Sequence, residues 1–264
     1  MKETILRINN LFCGYDGKII LRDIGFEALK GEIISIIGPN GSGKTTLLRA
    51  ISNIIKPEKG EIILQEENLA RISHKALAGK IAFVAQAVES AVMSVEEYVL
   101  LGRLPYFRKY QFFETKNDMA LARKYMELTD TFKLKDSLMS AISGGERQLA
   151  SIARALVQEP NLLLLDEPTS HLDITHQVQI LELIKRLNRE LGLTVLMVLH
   201  DLNLASEYSD RLVLLNGSGG SIYKKGVPEE VITRVSIEAV YQTEVLIKKN
   251  PLSGKPYVML VSTP

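Results

Sequence analysis

The densest chemistry in the chain lies in residues 38–46, Gly-Pro-Asn-Gly-Ser-Gly-Lys-Thr-Thr, between an apolar run and a helical pattern. Gly38, Gly43, Lys44 and Thr45 match Gly-x-x-x-x-Gly-Lys-[Ser/Thr], the spacing of a phosphate-cradling loop that joins a strand to a helix. Glycines let such a loop turn its N–H groups inward around the phosphates. Lys44 would reach the β and γ phosphates and Thr45 would offer an oxygen to Mg²⁺. The set expected to touch nucleotide is Gly38, Pro39, Asn40, Gly41, Ser42, Gly43, Lys44, Thr45 and Thr46. A second centre is Asp166 and Glu167, two carboxylates that end the apolar run "LLLL" at 162–165. Charge at the carboxyl end of a buried parallel strand sits where such sheets bind ligands. There Asp166 is suited to hold Mg²⁺, and Glu167 to orient and deprotonate an attacking water.

Four further features carry less information singly. Tyr15, in "LFCGYDGK", could lay its ring on an adenine. Gln86 closes "KIAFVAQ" and could serve both as a water contact and as a switch. His200 closes "TVLMVLH", so its imidazole is expected at the sheet edge shared by the carboxylates. Ser143, Gly144, Gly145 and Glu146 open an amphipathic helix and offer backbone N–H groups to an anion. This last segment has no lysine, and it makes one phosphate cradle more than a single nucleotide needs.

The elements that must position these groups follow from periodicity. Short β-rich runs, "TILRIN", "IGFEAL", "EIISIIG" and "GEIILQ", surround one helical stretch at about 44–53, and glycines and prolines punctuate them. A mainly helical insert spans about 88–156. "NLLLLDEP" and "TVLMVLH" read as strands buried on both faces. Between them "THQVQILELIKRLNREL" reads as a helix with an apolar stripe at Val178, Leu181, Ile184, Leu187 and Leu191. Strand, helix, strand at these lengths predicts an α/β fold, a parallel sheet with crossover helices. The turn at 216–221 introduces a tail of mixed short elements.

Composition removes several classes of function. Lys plus Arg number 32 against 31 Asp plus Glu, with no basic run longer than two residues, so the broad positive field of a nucleic-acid binder is missing and nucleic acid is not an expected partner. The single cysteine, Cys13, excludes an internal disulfide and a cysteine-based zinc site, which fits a reducing compartment. His74, His171 and His176 form no metal-ligand spacing. The start of the chain alternates polar and apolar residues instead of carrying a leader's apolar core. No apolar run approaches the ~18 residues that cross a bilayer. Any membrane role is expected to come through a partner.

Taken together and in this order, the motifs resemble the ATP-binding cassette (ABC) family over about residues 5–215: an aromatic loop at Tyr15, Walker A at 38–45, a glutamine loop at Gln86, a signature at 142–146, Walker B at 162–166 with Glu167 after it, "SHLD" at 170–173, and a switch histidine, His200. The signature reads Ile-Ser-Gly-Gly-Glu where the commonest family form is Leu-Ser-Gly-Gly-Gln, so Glu146 adds a negative charge near a nucleotide. The resemblance implies a P-loop nucleoside-triphosphatase fold with a RecA-like parallel-sheet core, an N-terminal antiparallel β subdomain and an inserted α-helical subdomain. The whole of residues 1–264 would be one ABC ATPase domain, with a C-terminal extension at about 216–264. It implies ATP and Mg²⁺, with Glu167, His200, Gln86 and Lys44 in hydrolysis and Thr45, Gln86 and Asp166 around the metal. It also implies a head-to-tail homodimer in which Ser143, Gly144 and Gly145 close over the γ phosphate held by the other copy's Walker A.

"VLLGRLPYFRKY", at 99–110, is similar to the helical-subdomain segment of ATPase subunits that serve iron-siderophore, haem, cobalamin and related metal-chelate importers. "GKPYVMLVS" near the C-terminus is similar to the end of those subunits. That resemblance implies a peripheral protein at the cytoplasmic face of the membrane, docked on permease subunits through their coupling helices and linked in function to an extracytoplasmic binding protein. The alternative is a soluble cassette ATPase acting on nucleic acid or ribosomes, but those usually carry two cassettes or a long coiled coil. A GTPase is disfavoured because no Asn-Lys-x-Asp occurs. The sequence names no solute: siderophore, haem, cobalamin and oxyanions such as molybdate all stay open.

Overall fold

The computed structural model describes residues 3–86, 92–217 and 219–261. Residues 87–91, part of the segment after Gln86 expected to meet a permease, lie outside the described residues. In chain order the elements begin with strands β1 (Thr4–Tyr15), β2 (Lys18–Leu29) and β3 (Ile33–Ile37), helix α1 (Lys44–Ile51), strands β4 (Lys59–Leu64) and β5 (Glu67–Asn68), helix α2 (His74–Ala78) and strand β6 (Ile81–Val84). Helices α3 (Val95–Leu100), α4 (Lys116–Leu128) and α5 (Gly144–Leu156) follow, then β7 (Leu162–Asp166), α6 (Ile174–Leu191) and β8 (Thr194–Val198). The chain closes with α7 (Leu202–Tyr208), β9 (Arg211–Leu215), β10 (Ile222–Gly226), α8 (Pro228–Val231), α9 (Arg234–Tyr241), β11 (Val245–Lys249) and β12 (Pro256–Leu260). The fold is mixed α/β, in two units: residues 1–71 with 188–264, and residues 72–187.

In the first unit β1 and β2 form a hairpin closed between Tyr15 and Lys18. Asp16 and Gly17 both take positive φ there, as a two-residue turn matched to strand twist requires. β4 pairs antiparallel with the other edge of β1, which completes the antiparallel β subdomain with β5. β3 runs parallel to β8 on one side and β9 on the other, and β10 returns antiparallel on β9. Every residue of β3 and β8 is buried, which is why both are apolar except for Ser35 and Thr194. Buried Glu32 is held by Arg211 at 3.2 Å. Cys13 is a buried free thiol, and burial pushes its pKa up.

The second unit carries the parallel pair β6 and β7 together with α3, α4 and α5, which pack on one another. Each of these three helices opens with a capping box, Ser94/Glu97, Thr115/Asp118 and Ser143/Glu146, so each start is fixed locally by an i,i+3 pair. Arg103, in the 3₁₀ turn Leu101–Tyr106, is buried between them. It donates from Nε to Asp118 Oδ1 at 2.8 Å and from Nη1 to the Val157 carbonyl at 2.8 Å.

α6 forms where its apolar periodicity predicts, but its buried face is Ile180, Leu181, Leu183, Ile184 and Leu187. Val178 and Leu191, expected in the stripe, are 40% and 42% exposed. Periodicity sets that a helix has an apolar side; the elements packed against it set how far along and around that side is covered. Among the described residues no helix is long and apolar enough to cross a membrane.

Candidate active site

The phosphate loop belongs to the first unit. It leaves β3 at Gly38 and enters α1 at Lys44, as its motif requires. Gly38 takes φ 151, and a Cβ there would lie 2.8 Å from the Leu215 carbonyl oxygen and 2.9 Å from Ser42 Oγ, so only glycine fits without displacement. Gly43 caps α1 in a left-handed conformation, with no side-chain cap bond and no acidic residue in the first turn. A helix N-terminus whose own first turn has no acidic residue suits an anion.

Lys44 is buried and its Nζ donates to the carbonyls of Gly38 at 2.9 Å and Pro39 at 3.0 Å, so the cation already lies within the loop. Ser42 Oγ is fully buried with no hydrogen-bond partner among the described residues. An orphaned hydroxyl is costly, and a phosphate oxygen in the cradle would satisfy it. Thr46 is buried, Thr45 and Pro39 are half-buried, and Asn40 and Gly41 are exposed. Tyr15, at the hairpin end of β1, is 37% exposed and its hydroxyl accepts from Arg49 Nη1 at 3.2 Å. Its ring is thus held at its polar tip with a face free of the core. His200 is exposed two residues beyond β8, just before Asp201, which caps α7.

The carboxylates belong to the second unit. Asp166 is the last residue of β7 and is buried, whereas Glu167 is half-buried with φ 52, in the left-handed region. A non-glycine residue held there costs about 1–3 kcal/mol and is typical of sites where a side chain must be aimed. The turn is locked by Ser170, whose N–H and hydroxyl donate to the Glu167 carbonyl at 3.1 and 3.0 Å. Exposed Gln86, two residues beyond β6, donates from Nε2 to Glu167 Oε2 at 2.6 Å. The residues expected to orient water and to sense the nucleotide are therefore brought together.

The signature segment is organised differently from the phosphate loop. Ser143 caps α5, accepting from the Glu146 N–H. In return Glu146 Oε2 accepts from the Ser143 N–H and hydroxyl, both at 2.8 Å. The Ser143 bonds, backbone first, hold the Glu146 carboxyl below the usual range, with Lys133 and His176 adding attraction. The negative charge that replaces the commoner glutamine is thus folded onto the helix N-terminus. Gly144 is exposed and Gly145 buried.

Two residues near this chemistry escape sequence motifs. Gln177 donates from Nε2 to the carbonyls of Thr169 and Leu172 at 3.3 and 3.0 Å, pinning the loop after Glu167 to α6. His176 bonds Asp173 and packs on Gly145. The i,i+3 spacing of Asp173 and His176, a helix-cap signature, is the only sequence signal for either. His171 is exposed with φ 61. Among the described residues no three His, Cys, Asp or Glu side chains gather to hold a metal.

Comparison with known proteins places these sites in a family. The profile of the ABC transporter family matches residues 21–170. The chain is 38% identical over 265 residues to the ferric enterobactin transport ATP-binding protein FepC of Escherichia coli, covering 98% of this chain and 96% of that protein. Among solved structures it is similar to a chain of an ABC transporter described as metal-chelate type, in an inward-facing conformation, with a TM-score of 0.86, 27% identity and 98% of each chain covered. It is also similar to a dimeric ATP-binding cassette bound to ADP and phosphate, at a TM-score of 0.72 and 28% identity over 84% of this chain and 98% of the other. The chain belongs to the ABC transporter family, as one of its ATP-hydrolysing ATP-binding proteins.

Proposed function

We propose that this protein is the ATPase subunit of an importer for a metal chelate, an iron-siderophore first, with haem and cobalamin as the neighbouring choices. The observation that carries the reading is the near-complete alignment, at 38% identity, with a ferric enterobactin transport ATP-binding protein. Two copies would trap ATP between them; that the cassette this fold resembles is dimeric, bound to ADP and phosphate, supports the dimer. Each would give its phosphate loop to one nucleotide and Ser143, Gly144 and Gly145 to the other.

In this reading the 38–46 loop binds the phosphates, Lys44 neutralises the β and γ oxygens, and Tyr15 stacks on adenine. Glu167 positions water and takes its proton while Gln86 and His200 report the γ phosphate. Thr45, Gln86 and Asp166 offer hydroxyl, amide and carboxylate oxygens, hard donors that fit Mg²⁺. When bound, the ion would supply charge neutralisation at the phosphates. The protein would work at the cytoplasmic face of the membrane through permease subunits. Tyr110, Phe112 and Phe113 are 78%, 79% and 81% exposed on one loop of the helical subdomain. An apolar patch of that kind marks a contact surface, and it is assigned here to the permease.

The test is reconstitution with the permease and binding protein that co-purify with the chain. ATPase activity should rise with binding protein loaded with an iron-siderophore. Stimulation by DNA or ribosomes instead would favour the soluble cassette alternative.

A further inference from the structure

The signature segment of this chain contains a carboxylate at the place where a γ phosphate is proposed to arrive. A neighbouring imidazole is built against it. Asp173 opens α6: its Oδ1 accepts from the His176 N–H at 2.9 Å and its Oδ2 lies 2.8 Å from His176 Nδ1. That pairing puts a proton on Nδ1 and turns the Cδ2–Nε2 edge of the ring outward. The edge lies flush on Gly145: a Cβ there would come within 2.5 Å of Cδ2 and 3.2 Å of Nε2. Glycine at this position is therefore a requirement of the histidine, and not only of a phosphate.

Gly145 is flanked by Glu146, whose carboxylate holds the Ser143 N–H and hydroxyl. Asp173, His176, Gly145, Glu146 and Ser143 thus form one contiguous chain from the loop after Glu167 to the signature serine. The charged groups facing the ring are Asp173 on its own segment and Glu146 on α5. Lys133, in the 3₁₀ turn Phe132–Leu134, acts on Glu146 from beyond it.

We propose that His176 is a positioning residue that fixes the first turn of the signature helix against the 170–173 loop, so that a partner copy's ATP can close on Ser143. This rests on the reading of the signature as the segment that meets the other copy's nucleotide. Two physical consequences separate it from simple packing. Loss of the ring should leave ATP binding to the phosphate loop intact while weakening closure and turnover. The loss should fall on kcat and not on KM for ATP, because the phosphate loop that binds the nucleotide is untouched.

The experiment uses the full-length chain with Glu167→Gln as the background that accumulates closed dimer, and adds His176→Gln or His176→Ala. ATP-driven dimerisation is followed by light scattering, and steady-state kcat and KM are taken on the same substitutions without Glu167→Gln. The expected result is monomer ATP affinity within about twofold, with kcat and closure down about fivefold to tenfold for His176→Gln, at the lower end of site-to-site couplings. His176→Gln keeps a hydrogen-bonding amide, so it decides the matter even if His176→Ala misfolds. A His176→Gln protein whose closure and kcat match the parent's, or whose loss lies in ATP affinity instead, overturns the role of His176 alone. A Glu167→Gln protein that stays monomeric with ATP removes the signature reading beneath it.

Discussion

Gln86 Nε2 donates to Glu167 Oε2 across 2.6 Å, joining residues 81 positions apart. The side chain proposed to activate water is thereby tethered to the residue proposed to sense the γ phosphate.

Glu167→Gln removes the base and keeps the shape. ATP binding should persist while phosphate release falls by about 10² to 10⁴, the usual worth of a general base, and the protein should accumulate as a closed dimer with ATP. Single-turnover phosphate release and size-exclusion chromatography check this, and hydrolysis at the parent rate would refute the role.

Gln86→Ala should loosen Glu167 without removing it. The expected outcome is a fall in kcat of about tenfold, less than for loss of the base itself, with little change in KM for ATP. A change confined to KM would place Gln86 in binding instead.

Tyr15 is held through its hydroxyl by Arg49, but its proposed work is done by the ring. Tyr15→Ala should weaken ATP binding by about tenfold, as expected for loss of one base–aromatic stack, whereas Tyr15→Phe should bind nearly as the parent does. Fluorescent-nucleotide titration distinguishes the two; equal losses would mean that the hydroxyl matters more than the face.

The Arg103–Asp118 pair is 7% exposed on both sides. Burial pushes the Asp118 carboxyl up, but hydrogen bonds from Thr115 and Arg103 outweigh it and hold the group below its usual range. A carboxyl lowered by folding stabilises the protein above its unfolded pKa of about 4 and ceases to do so as pH falls through the folded value. Arg103→Met alone should destabilise by about 3–5 kcal/mol because it strands a buried charge, and adding Asp118→Leu should recover much of the loss. Thermal melts at pH 7 and 3.5 test both points: the parent should lose stability on acidification more than the double variant does.

The exposed loop aromatics give a test outside the catalytic groups. Phe112→Ala with Phe113→Ala should leave the ATPase rate of the isolated chain unchanged and abolish stimulation by the reconstituted permease. A drop in the isolated rate would show that these rings support the fold instead.

The sequence by itself determined the features whose physics is local. The phosphate loop is legible because glycines at fixed spacing permit only a few backbone paths. The continuous apolar runs at 162–165 and 195–198 announce strands covered on both faces, and each capping box is complete within four residues. Tertiary structure decided what depends on neighbours far along the chain. It chose which side of α6 is covered, burying Ile180 and Leu183 and leaving Val178 in solvent. It brought Gln86 to Glu167, and laid the edge of His176 on Gly145. No pattern of residue types encodes those encounters, because the distance between two side chains separated by tens of residues is set by how whole elements pack.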